Sequence, residues 1–166
     1  MDSEHKQYVT MENRELIVKE AYSKMAQLCS RSEQCTADIR RKMTVFELMD
    51  EIVEEVISKL KKDKFLDDER FVKAYVSDKF RLNNWGKIKM QHYLKMKGLP
   101  DELIREGLDS IDNNKYIEVL LKTMKTKAKT IKKKDKFEKM GQIIRFTHNR
   151  GFEPELIHRY LNEVVE

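Results

Sequence analysis

Apolar positions along this chain fall three and four residues apart, the spacing of amphipathic helices. Around LLKTMKTKAKTIKKKDK, the residues Ile117, Leu120, Leu121, Met124, Ala128 and Ile131 keep that spacing while lysines fill the other face. The pattern predicts helices in groups of three. In the first group an N-terminal segment ends near Cys29, Thr36 is a good N-cap for a short second helix, and Leu48 to Lys62 forms the third. In the second, Asp67 caps DERFVKAYVSDKFRL, the turn NNWG follows, and two more helices meet at a corner. In the third, the lysine-rich helix begins near Asn114, and helices over about 136–149 and 154–164 follow it.

The groups resemble one another. KGLPDELIREGL (97–108) is echoed by RGFEPELIHRYL (150–161). In both, a Gly after a helical stretch suits the left-handed position that closes a helix, and a Pro shortly after suits the first turn of the next. The apolar residues then fall in step: Leu103, Ile104 and Leu108 match Leu156, Ile157 and Leu161, and before the corner Met90 and Tyr93 match Ile143 and Phe146. A fainter third copy runs through Ile39, Met43, Leu48, Ile52, Val53 and Ile57. There Glu47 stands where the corner glycine would be, so that corner is expected to be more open or to use another cap. Self-similar cores at this spacing predict stacked units, each too small to bury its face well alone. The reading is all-α: an N-terminal segment 1–17, then three-helix repeats over 18–62, 63–112 and 113–166.

Composition agrees with helix, since the chain has only five Gly and two Pro among its 166 residues. Charge changes the picture more. The net charge is +5, yet between Asn113 and Lys136 nine lysines face only Glu118 and Asp135, a local +7 that leaves −2 for the rest. So concentrated a lysine face exceeds what solubility needs and favours a polyanion or an acidic protein surface as partner. The chain has no apolar run long enough to span a membrane, and its start, MDSEHKQYVTMENRE, is too polar for a secretory signal. A cytoplasmic protein, monomeric and away from membranes, is expected.

Chemistry-bearing motifs are scarce. Cys29 and Cys35 are too few for a disulfide framework or a zinc site and read as reduced side chains near a helix junction. His5, His92, His148 and His158 lie in no metal-binding pattern, and no Ser or Cys has a nucleophile's context. Isolated glycines at 86, 98, 107, 141 and 151 make no phosphate-cradling loop, so neither a cofactor nor catalytic residues are expected. Asp67, Asp68 and Glu69 read as helix-capping acids rather than metal ligands. Trp85, beside Gly86, could stack on a base or pin one helix against another, and packing is preferred. Phe71 and Tyr75, four apart on one helix, read as core.

Residues 61–98, KKDKFLDDERFVKAYVSDKFRLNNWGKIKMQHYLKMKG, resemble the signature region of the RecX family, bacterial regulators of the RecA recombinase. The likeness rests on Asp67-Asp68, on Arg70-Phe71, on a helix ending in a basic residue and on a Gly-initiated helix ending at Gly98. RGFEPELIHRYL resembles the family's closing repeat, and SRSEQCTADIRRKM (30–43) its opening one. The resemblance implies three tandem three-helix repeats related to helix-turn-helix units, in an elongated, curved molecule. It also implies a partner: the RecA filament on single-stranded DNA, whose ATP hydrolysis and strand exchange such proteins suppress. Contact with DNA would then come through the filament.

Binding is expected from exposed basic residues: Arg40 and Arg41 in the first repeat, Lys79, Arg81, Lys87 and Lys89 around the central turn, and Lys122, Lys125, Lys129, Lys132 and Lys133 in the third. Lysine is a point charge where arginine is a planar fork, so the attraction should be salt-dependent and poor in sequence specificity. The alternative is a helix-turn-helix regulator reading duplex DNA through RRKM, KIKMQHY or QIIRFTHNR. It ranks lower because no dimerising element accompanies these stretches.

Overall fold

The structure is a computed structural model and describes residues 11–132 and 135–166. Among the described residues there are nine helices and no strand: α1 (Met11–Arg31), α2 (Thr36–Thr44), α3 (Asp50–Lys62), α4 (Asp68–Asn83), α5 (Lys87–Met96), α6 (Asp101–Asp109), α7 (Asn113–Thr130), α8 (Lys136–Asn149) and α9 (Pro154–Val165). The chain forms two compact units, with the boundary inside α4 between Phe71 and Val72.

In the first unit, Val18 and Met25 of α1, Ile39 and Met43 of α2, and Ile52, Val53, Val56, Ile57 and Leu60 of α3 share one core with Leu66. These positions recur at helical spacing on each helix, so three amphipathic faces close on one another. Arg70 clamps the far end of this unit. Its guanidinium donates to the Glu33 carboxylate (2.6 Å) and to the carbonyls of Lys64 (3.0 Å) and Phe65 (3.2 Å). Asp67 caps α4, accepting the Arg70 N–H at 3.0 Å.

One local expectation is corrected here. Cys35, not Thr36, occupies the N-cap of α2, and it supplies no side-chain hydrogen bond. Thr36 is instead the first helical residue, and its N–H donates to the Asp68 carboxylate at 2.8 Å. The second acid of the pair therefore caps a helix 32 residues upstream. At the first corner, Glu47 itself takes the left-handed conformation (φ 52), as Gly98 (φ 81) and Gly151 (φ 95) do at the other two. A left-handed residue therefore stands at the corner in all three copies, and at Glu47 a side chain carries the steric cost.

The second unit has a core of Tyr116, Leu120, Met124 and Ala128 from α7, Ile143 from α8, Phe152, and Ile157 and Leu161 from α9. Val72, Val76, Met90, Leu94, Leu99, Ile104 and Leu108 are buried as well. Gly107 lets α6 lie close on α4, since a Cβ there would stand 2.5 Å from Val72 Cγ1. The lysine-rich helix is shorter than its sequence pattern implies. Ile131 leaves α7 in extended conformation (φ −91, ψ 114), so Lys132 lies beyond the helix, and Lys133 falls outside the described residues. Pro154 occupies the first turn of α9 as expected, whereas Pro100 is the N-cap of α6.

Candidate partner-binding face

The start of α5 is held by the corner between α8 and α9. Gly86, its N-cap, offers no side-chain acceptor, so the free N–H groups of the first turn need partners from elsewhere. The Gly86 N–H donates to the Arg150 carbonyl (2.7 Å) and the Ile88 N–H to the Gly151 carbonyl (2.9 Å). The Lys87 N–H donates to the Tyr116 hydroxyl (3.0 Å), which in turn donates to Glu153 Oε1 (2.7 Å). Burial first, and then the bond to Glu153, push the Tyr116 hydroxyl far above the ordinary tyrosine range, so it stays protonated. Arg150 adds a bond from its guanidinium to the Asn83 carbonyl (3.0 Å).

On this frame sits an aromatic and cationic cluster. Trp85 is half-buried and stacks on Tyr93 of α5, with ring centroids 5.2 Å apart at 28°. The ammonium groups of Lys79 and Lys89 lie over the Trp85 ring at 4.9 and 4.5 Å, and Lys79 also lies 5.5 Å from the Tyr75 ring centroid. Trp85 therefore packs against Tyr93, in keeping with the preference for packing over base stacking. Tyr93, which the sequence aligns with Phe146, is 40 % exposed, and its ring covers Trp85. Phe71 is buried as expected, and Tyr75 is half-buried.

The predicted binding residues fall into distinct environments. Lys87 lies over the Tyr116 ring at 4.9 Å, and Lys89 also donates to the Asn149 carbonyl at 3.4 Å. Arg40 is paired with Glu54 (2.8 Å) and Arg41 with Asp38 (3.2 Å), so both are partly neutralised within the first unit. Arg81 makes a looser pair with Asp78 at 3.7 Å, with both side chains largely in solvent. A pair as loose and exposed as Arg81 with Asp78 is worth little. Lys122, Lys125, Lys129 and Lys132 are exposed. The turn cluster and the α7 lysines both belong to the second unit, whereas Arg40 and Arg41 belong to the first.

Sequence reasoning missed several neighbours of these residues. Phe146 carries the Lys127 ammonium and the Arg150 guanidinium over its ring, each at 5.1 Å. Phe137, directly after Lys136, is 84 % exposed. A cleft of about 600 Å³ opens between α4 and α7, with Lys73, Arg81, Lys115 and Lys122 on its walls. The available signal was the four-residue spacing of Lys73, Ser77 and Arg81 on α4 and the seven-residue spacing of Lys115 and Lys122 on α7, which put each set on one helix face. Among the described residues no cluster of His, Cys, Asp or Glu could hold a metal ion, and no helix is long and apolar enough to cross a membrane.

Comparison with known proteins meets this geometry at α4 to α6. Residues 67–108 match the model of the RecX second three-helix domain. The regulatory protein RecX of Chlorobium limicola is 30% identical over 116 residues, covering 70% of this chain and 71% of that protein. The chain belongs to the RecX family. The regulatory protein RecX of Clostridium acetobutylicum is 32% identical over 131 residues, which are 76% of this chain and 60% of that protein. For the Bacillus licheniformis relative the figures are 29% identity, 88% of this chain and 56% of the relative. The chain thus spans little more than half the length of these last two relatives. Among solved structures, RecX from Lactobacillus salivarius superposes with a TM-score of 0.82 at 16% identity, over 89% of this chain and 96% of that one. That likeness establishes the shared all-helical RecX fold. The matched domain contains Lys79, Arg81, Trp85, Lys87, Lys89 and Tyr93, the whole of the turn cluster.

Proposed function

We propose that this chain is a non-enzymatic modulator that docks on a RecA-type recombinase filament on single-stranded DNA and lowers its ATP turnover and strand exchange. Membership of a family whose named relatives are regulatory proteins carries the reading. The basic groups of the second unit add physical support. A filament presents both acidic protein surface and DNA phosphate, and such partners attract exposed lysines over several ångströms. In this reading the repeats 18–62, 63–112 and 113–166 are the units that meet successive parts of the filament, and the protein acts as a cytoplasmic monomer. Lys79, Arg81, Lys87 and Lys89 would meet the partner around the central turn, and the exposed lysines of α7 would do so in the third repeat.

Adding the purified protein to RecA with single-stranded DNA tests the proposal. The expected result is slower ATP turnover and less strand exchange at equimolar protein; no change in either measurement would rule the reading out.

A further inference from the structure

We propose that α7 to α9 order the turn that carries Trp85, between α4 and α5, and that Tyr116 and Glu153 are its positioning residues. The inference takes from the filament reading only that this turn meets the partner. α7 and α8 begin on their own aspartates: Asp112 and Asp135 each accept an N–H of their own first turn at 2.9 Å. α5 has no such residue, since its N-cap is Gly86 and its first turn holds no acid. The N–H groups of Gly86, Ile88 and Lys87 go instead to Arg150, Gly151 and Tyr116, all beyond the span 67–108. The preceding helix is tied at the same place, because the Arg150 guanidinium donates to the carbonyl of Asn83, the last residue of α4. Asn84, next to it, is left-handed (φ 54), a conformation that persists where the surroundings hold it. Both ends of the turn are therefore fixed by residues outside it.

Tyr116 is the pivot. Its ring is 2 % exposed and packs on Phe80, with centroids 5.9 Å apart, and on Phe152 at 5.3 Å, so the hydroxyl is held in one place. A phenol has a single hydrogen to donate. Glu153 takes that hydrogen at 2.7 Å, which leaves the oxygen's lone pairs to the Lys87 N–H at 3.0 Å. Without Glu153 the hydrogen is free to rotate, and the amide loses a fixed acceptor. Two residues on, the Lys89 ammonium lies 4.5 Å from the Trp85 ring centroid, and that of Lys79 lies 4.9 Å from it. Their places over the ring follow from where α5 starts and where α4 ends. The tie runs both ways, so a partner that fixes Lys79 and Lys89 also fixes the corner between α8 and α9.

Trp85 is the only tryptophan, so its fluorescence reports on the turn alone. The full chain is compared with Tyr116→Phe, which loses the hydroxyl and keeps the ring, with Glu153→Ala, which loses the acceptor, and with Glu153→Gln, which keeps one acceptor oxygen. Well below the melting temperature of each variant, acrylamide quenching of Trp85 should rise about twofold in Tyr116→Phe and Glu153→Ala and stay at the wild-type value in Glu153→Gln. Docking on a RecA filament on single-stranded DNA should weaken about threefold in the first two and be restored in the third, since only the ordered turn binds. The Glu153 side chain makes no cap bond to α9, so Glu153→Ala should fold even if Tyr116→Phe does not. Wild-type quenching in both loss variants, or an equal rise in all three, would overturn the proposal and assign these residues to stability alone. Wild-type docking strength in a loss variant whose quenching has risen would overturn it too. If the wild type itself does not dock, the filament reading fails, and the quenching series still decides the ordering role.

Discussion

The backbone at Gly86 lies against the backbone at Gly151, so closely that a Cβ on Gly86 would stand 2.3 Å from the Gly151 carbonyl carbon. The reciprocal addition, a Cβ on Gly151, would stand 2.3 Å from Lys89 Cβ. The contact lets the first turn of α5 donate its N–H groups to the carbonyls of Arg150 and Gly151. A glycine expected only to close a helix thus also receives another helix end.

Gly86→Ala should therefore cost about 3 kcal/mol or more, because the obstructing atoms are backbone and cannot rotate away. Gly141→Ala is the matched control. It lies inside α8, and its nearest obstruction is the mobile Arg145 guanidinium at 3.7 Å. There the added methyl should stabilise by roughly 0.5–1 kcal/mol through helix propensity. Thermal or denaturant unfolding of the two variants checks the opposite signs.

Glu47→Gly should raise stability by about 0.5 kcal/mol. The left-handed conformation costs a side-chain-bearing residue roughly 1–2 kcal/mol, and the greater freedom of Gly in the unfolded chain returns roughly 0.5–1 of this. Glu47 is exposed, so little packing is lost. A lower melting temperature for the variant would show that the Glu47 side chain stabilises the corner by some other route.

Tyr116 gives a pH dependence with a definite sign. Its hydroxyl ionises at about 10 in the unfolded chain and well above that in the folded one, so the folded state holds the proton more tightly. Its contribution is complete below pH ~10 and is lost as pH rises beyond, at up to about 1.4 kcal/mol per pH unit. Tyr116→Phe removes the bond to Glu153 and leaves the Lys87 N–H without its acceptor, which should cost about 1–3 kcal/mol at neutral pH. The gap between variant and wild type should narrow above pH ~10. Denaturant midpoints at neutral pH and at increasing alkalinity make the comparison.

For the proposed filament docking, Lys125→Glu with Lys129→Glu should weaken binding and flatten its salt dependence. If both lysines meet phosphate, the slope of log affinity against log salt falls by about 1.5 in magnitude. Arg40→Ala should change that slope far less, because Arg40 is already paired with Glu54 at 2.8 Å. A larger loss from Arg40→Ala than from the lysine pair would move the docking face to the first unit.

Much of this protein could be read from one chain of letters, for a local reason. Helical periodicity, the capping acid Asp67, the left-handed glycines 98 and 151 and the clustering of lysines between Asn113 and Lys136 each depend on residues a few positions apart. What required the tertiary structure depends on residues that meet only after folding. Asp68 reaches back to Thr36, Gly86 meets Gly151, and Tyr116 bridges Lys87 and Glu153. The same holds for the candidate face. That Lys79 and Lys89 were basic and near a turn was legible, but their placement over Trp85, and the cleft that Lys73 and Arg81 share with Lys115 and Lys122, follow from how α4, α5 and α7 pack. Periodicity decides which face of a helix is buried; only packing decides which other face it meets.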